Sequence, residues 1–175
     1  MSNTVRYDGV SRFLHWLIVG LVAAQFVLGW TMPEMHRDTR PVGLIAGHLL
    51  VGTSLLAAML CRVLWRITHR PPDLDIARPL RILSTLTQFA LYALLIVVPL
   101  LGWINASSRG WNVTLFSALP LPALSATGSS FGHEMGDVHG TLAWVLFALI
   151  CLHVSGALMH HFVFRDRVVQ RMTPW

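Results

Sequence analysis

Four of the nine histidines in this chain fall inside apolar runs: His15, His48, His139 and His153. His139 and His153 are 14 residues apart in one stretch, 137–161, DVHGTLAWVLFALICLHVSGALMHH. Fourteen residues is almost four helical turns, so the two rings share a face and stand about 21 Å apart along the axis. Imidazole is the commonest metal-binding side chain. Two on one face, near opposite sides of a membrane, suggest two stacked metal centres, provided that other helices supply partners at matching depths.

The elements that would position these rings are legible in the composition. The chain is 54% hydrophobic and 12% charged, with mean hydropathy +0.59. Soluble domains carry about 25% charged residues, so this is an integral membrane protein with lipid as its surroundings. Four apolar segments, roughly 10–32, 43–67, 80–105 and 137–164, are each long enough to cross about 30 Å of hydrocarbon. The expected fold is all-α: a four-helix transmembrane bundle, one domain over 1–175. The N-terminus carries charges into a run too long for a signal-peptide core, and we expect it to be retained. Cys61 and Cys151 lie inside apolar runs and read as small buried core residues, neither a disulfide nor a thiolate site.

The net charge is +5, and all 13 basic residues are arginine. In a soluble protein this balance would raise nucleic acid as a partner. Here the arginines sit at the ends of apolar segments, which argues for membrane orientation and against nucleic acid. Arg6, Arg12, Arg62, Arg66, Arg70, Arg78, Arg81, Arg165, Arg167 and Arg171 fall on one side, and Arg37, Arg40 and Arg109 on the other. Ten against three places both termini in the cytoplasm. The connection 106–136, rich in Ser, Gly and Pro, is expected to lie on the outer surface as a cap.

With that topology the four histidines pair by depth. The first segment enters from the cytoplasm, so His15 is near the inner surface. The second and fourth enter from outside, so His48 and His139 are near the outer surface and His153 is deeper. His48 pairs with His139, and His15 with His153. The 14-residue step from His15 reaches Gly29 at the outer level, and from His48 it reaches Arg62 at the inner level. A glycine there leaves room for a large planar group, as does Gly52, one turn below His48. An arginine inside the membrane needs an anionic partner. Haem propionates would serve Arg62, and Arg12 at the same end. Two bis-histidine haems b satisfy these residues together. Zinc or di-iron would want three or more ligands at one depth, often with carboxylates, and a proton relay would want ionisable groups through the middle. The helix interiors, as bounded here, hold no Asp or Glu. A lone histidine at a membrane boundary usually bonds a neighbour's backbone; four at two matched depths argue against that for the set.

The other histidines carry weaker signals. His36 and His69 sit in polar linkers, and His133 in the outer connection, where a surface role is expected. His160 and His161, two turns past His153, would either hydrogen-bond a quinone head group or lie at the lipid interface. Trp16, Trp30, Trp103, Trp111 and Trp144 mostly fall near span ends, as an aromatic belt would.

RFLHW at 12–16, GHLLVG at 47–52, RVLWR at 62–66, VHGTLAW at 138–144, LHVSGALMHHFVFRD at 152–166 and QRM at 170–172 resemble the bacterial cytochrome b561 family. The resemblance covers nearly the whole chain. It is closest to the small stand-alone, superoxide-oxidising di-haem members of the bacterial inner membrane. It implies two haems b, electron exchange with ubiquinone, and axial ligands at His15, His48, His139 and His153. The expected activity is electron transfer from superoxide, drawn in by Arg37, Arg40 and Arg109, through the outer and then the inner haem to ubiquinone. The quinone is placed at the inner end, near His160, His161, Arg12 and Arg62. An electron-carrier cytochrome b subunit serving a partner dehydrogenase or other redox protein is the alternative, and a haem-free structural or transport protein the third reading.

Overall fold

A computed structural model describes residues 6–36, 38–69, 78–166 and 168–173. Four long helices dominate it: α1 (Gly9–Thr31), α2 (Leu44–Thr68), α3 (Arg78–Ser108) and α4 (Ser130–Met159). A π-helical turn, His160–Phe164, continues α4, and a 3-10 turn spans Val169–Arg171. Between α3 and α4, β1 (Thr114–Leu115) and β2 (Leu119–Pro120) form a short antiparallel hairpin. All four helices are long and apolar enough to cross a membrane. Successive helices therefore alternate in direction. The α1–α2 and α3–α4 connections share one end of the bundle, the loop end; the start of α1 and the end of α4 lie at the other, the terminal end.

Helix starts follow local chemistry. Asp8 caps α1, its carboxylate accepting from the Ser11 amide at 2.9 Å and the Ser11 hydroxyl at 2.6 Å. The same carboxylate accepts from the Trp65 indole at 3.0 Å, tying α1 to α2. Desolvation raises the Asp8 pKa, but the hydrogen bonds from Ser11 and Trp65 outweigh it and the net shift is downward from 3.8. A folded pKa below the unfolded one contributes stability that is present above about pH 4 and lost as pH falls through the folded value. Asp8→Ala should cost about 1 kcal/mol and flatten this acid limb, whereas Asp8→Asn should keep the cap but flatten the limb. Thermal melts in detergent between pH 3 and 6 test both.

The core is a mid-bundle apolar layer: Ile18 of α1, Leu55, Ala58 and Met59 of α2, Leu91 and Leu95 of α3, and Leu146 of α4. Met59 is 1% exposed. Leu55 lies midway between His48 and Arg62, and Leu146 midway between His139 and His153. The layer thus separates the two histidine levels. Cys61 and Cys151, expected in the core, are instead exposed on the bundle's outer surface. A span surrounded by lipid is apolar on every side, so an apolar run does not tell inward from outward positions.

Helix ends at the loop end also differ from expectation. The connection expected over 106–136 is shortened from both sides, because α3 runs on to Ser108 and α4 begins at Ser130. Glu134 and Asp137 therefore lie inside a helix, in its early turns. Ser129 caps α4 by accepting from the Gly132 amide at 3.2 Å. Close backbone approach holds the extension: a Cβ on Gly132 would stand 2.4 Å from the Ser108 Cβ, and one on Gly136 2.7 Å from the Asn105 amide nitrogen. Asn105, itself buried, donates to the Gly132 carbonyl at 3.1 Å. Small residues spaced by four make such close crossings in membranes.

Candidate haem-binding sites

At the loop end a cavity of about 460 Å³ opens between the helices. Its lining includes Gln25, His48, Gly52, Pro99, Gly102, Trp103, Arg109, Gly136 and His139. The rings of His48 and His139 face each other with centres 6.1 Å apart and planes at 79°. Two imidazole nitrogens each about 2.0 Å from one metal atom put their ring centres about 6 Å apart. The structure thus brings these two rings to a separation that one metal atom between them could span.

Each ring is oriented by a specific contact. His139 Nδ1 lies 2.8 Å from the Val98 carbonyl. A carbonyl only accepts, so Nδ1 carries the proton and Nε2 keeps its lone pair for a metal. Pro99 lacks an amide hydrogen, which loosens α3 at this level. Gly102 allows the approach, since a Cβ there would lie 3.1 Å from the His139 ring. On the other side Gly29 backs His48, with its Cβ position 3.5 Å from the ring. The side-chain amide of Gln25 lies 3.0 Å from His48 Nε2 and packs against Gly52. Gln25, Pro99 and Gly102 played no part in the sequence reading. A lone amide in the apolar run of α1 was the signal for Gln25; nothing local marked Gly102.

Three buried polar atoms of cavity-lining residues have no partner among the described residues: His48 Nδ1, Gln25 Oε1 and Trp103 Nε1. Each orphan costs free energy unless something else pairs it. A haem suits this lining: the imidazoles suit the iron, the indole N–H suits a propionate, and the glycines leave room for a flat ring.

The second pair, at the terminal end, is more open. His15 is half-buried and packs edge-on against Trp16, with centres 5.5 Å apart, while His153 is exposed. Each ring is within electrostatic reach of Arg62, and His15 also of His153. Arg62 donates to the Tyr92 hydroxyl at 2.8 Å and to the Ser11 carbonyl at 3.0 Å, which joins three helices at this level. Arg12 donates to the Thr173 carbonyl at 3.2 Å, part of a seam in which the C-terminal segment also accepts from Trp16 and Tyr7.

Other residues fall as follows. His160 pairs with Asp166 at 2.5 Å on the π-helical turn, whereas His161 is exposed against Phe162. His133, expected on the surface of a loop, is in the first turn of α4 and lines the cavity. His69 stacks on Trp65 at 3.8 Å. Arg109 is tied to the Asn105 side chain and the His36 carbonyl, each at 3.2 Å, and lies over Trp111. Arg40 is exposed. Arg37, Arg70 and Arg167 lie outside the described residues. Among the described residues no cluster of three or more metal-binding side chains occurs.

The model of the family described as prokaryotic cytochrome b561 matches residues 6–175. The chain belongs to that family. Cytochrome b561 homolog 2 of Escherichia coli (strain K12) is 30% identical over 170 residues, covering 95% of this chain and 90% of that one. The probable superoxide oxidase CybB of Yersinia pestis is 25% identical over 175 residues, covering 97% and 96%. Cytochrome b562 of Cereibacter sphaeroides is 27% identical, covering 98% of each chain. Membership makes this a membrane electron-transfer protein that binds haem b.

Proposed function

We propose that this protein is a di-haem oxidoreductase of the bacterial inner membrane that carries electrons from superoxide at the outer face to ubiquinone. His48 and His139 would hold the outer haem, and His15 and His153 the inner. The single observation that most supports this is the facing His48–His139 pair, 6.1 Å between ring centres, in a cavity of about 460 Å³ between the helices. Haem b held by these histidines would supply a one-electron carrier suited to outer-sphere transfer.

The protein's own residues divide the remaining tasks. The apolar layer around Met59 keeps water from the space between the two levels. The arginine excess supports a cytoplasmic terminal end and a cavity on the outer face. Arg40 and Arg109, with Arg37, would draw a small anion towards the outer face. At the inner end His160, oriented by Asp166, would hydrogen-bond a quinone head group, with His161, Arg12 and Arg62 at the same end of the bundle. Two superoxide ions, one quinone and two protons give two molecules of dioxygen and one quinol, so charge and atoms balance. The name borne by the Yersinia pestis relative agrees with this donor.

Stopped-flow mixing of the purified, oxidised protein with superoxide tests it. Rapid appearance of the reduced b-type alpha band, discharged on adding ubiquinone, is the expected result. No superoxide-driven reduction, with reduction instead by a co-purifying redox protein, would make the chain an electron-carrier subunit.

A further inference from the structure

Residues 110–132, between Arg109 and His133, contain no charged side chain and no histidine. An aqueous connection of this length usually carries several charged residues. Its middle, 113–124, reads VTLFSALPLPAL. In the fold this segment turns back along α2: the Thr53 hydroxyl is shared between the Leu50 carbonyl of its own helix at 3.0 Å and the Thr114 carbonyl at 3.1 Å. Thr53 is nine residues into α2, roughly 13 Å along its axis. A contact there is well inside the apolar span. The expected cap therefore descends beside the bundle.

The hairpin's hydrogen bonding suits such a place. Non-helical backbone is tolerated at membrane depth only where its polar groups are satisfied. The Leu121 amide donates inward to the Val113 carbonyl at 2.9 Å, and the Ala118 amide closes the turn on Leu115 at 3.1 Å. Amides alternate in direction along a strand, so position 120 faces away from the partner strand. It is proline, as is position 122 just past the strand, and proline has no N–H to leave unpaired. Around them Phe116 is 64% exposed and Leu119 57%. On the inner side Val113 is buried and, with Trp111, lines the cavity that holds His48 and His139.

We propose that residues 113–124 are a re-entrant flap embedded among lipid acyl chains, with Phe116 and Leu119 in contact with lipid and Val113 walling the cavity. A soluble partner would have to cover the same side chains at a level set by Thr53, below the start of α2. Lipid already surrounds that level.

Nitroxide labels report this directly. Phe116→Cys and, separately, Leu119→Cys are made in a chain carrying Cys61→Ala and Cys151→Ala. Each is labelled and reconstituted into phosphatidylethanolamine–phosphatidylglycerol vesicles with haem bound. Leu152→Cys on the exposed face of α4 serves as the lipid standard and Asp38→Cys as the aqueous one. Both flap labels are expected to match Leu152: accessible to oxygen and at least fivefold less accessible to a water-soluble nickel chelate than Asp38. Labels that match Asp38 would overturn the proposal. Immobilised labels shielded from both relaxants would mean that protein covers the flap, which overturns it equally. Two label sites guard against one substitution disturbing the hairpin.

Discussion

His48→Ala and His139→Ala are each expected to give a folded protein with one haem b per chain instead of two, and with the haem at the terminal end retained. The reason is the separation of levels. The layer of Leu55, Met59, Leu95 and Leu146 lies between the pairs, and Arg62, bonded to Tyr92 and Ser11, organises the other level without either ring. Haem extraction should show the alpha-band absorbance per chain halved, and a redox titration should lose one of two waves. Removing His48 leaves a space lined by Gly29, Gln25 and Gly52, where added imidazole should restore the second haem. That rescue separates loss of a ligand from loss of fold. If either substitution abolished both haems, or removed the wave that His15→Ala also removes, the assignment of ligands by depth would fail.

The features legible in the sequence were those that depend on distance along a straight helix. A 14-residue step carries one face across the bundle, so the matching of Gly29 with His48, and of Arg62 with His15 and His153, follows from counting once the arginines fix direction. What depends on contact between helices was not legible. The segment 130–136, SFGHEMG, reads as part of the capping connection, because glycine is a poor helix former in isolation. It is helical because Ser108 and Asn105 need the room that Gly132 and Gly136 leave. Gly102 acts only through a ring contributed by another helix. Cys61 and Cys151 were misplaced because lipid removes the contrast between inside and outside. The fold of the flap was likewise hidden, although its long uncharged run was in view.

Gly136→Val should lower the melting temperature by several degrees and release the loop-end haem before the other. The introduced Cβ would lie 2.7 Å from the Asn105 Nδ2 and 2.9 Å from its Cγ. Asn105 cannot simply turn aside: it is buried, it donates to the Gly132 carbonyl, and its oxygen accepts from Arg109. Overpacking of this kind costs about 1–3 kcal/mol, and an amide pushed off its partners adds about 1–3 more. Relief must come from α4 moving away from α3. His139 lies one turn further along α4, held to the Val98 carbonyl, so the same movement draws that ring from its place. Gly20→Val is the control, because a Cβ there meets nothing within 4 Å. Two measurements test the mechanism: haem release on heating, followed at each wave of a redox titration, and a cycle with Asn105→Ala. Truncating the asparagine makes room for the valine, so the double variant should be more stable than the summed single effects imply, by about 1 kcal/mol or more. Strict additivity would mean that the valine acts somewhere other than the α3–α4 contact, and equal loss of both haems would mean that the two sites are not separately supported.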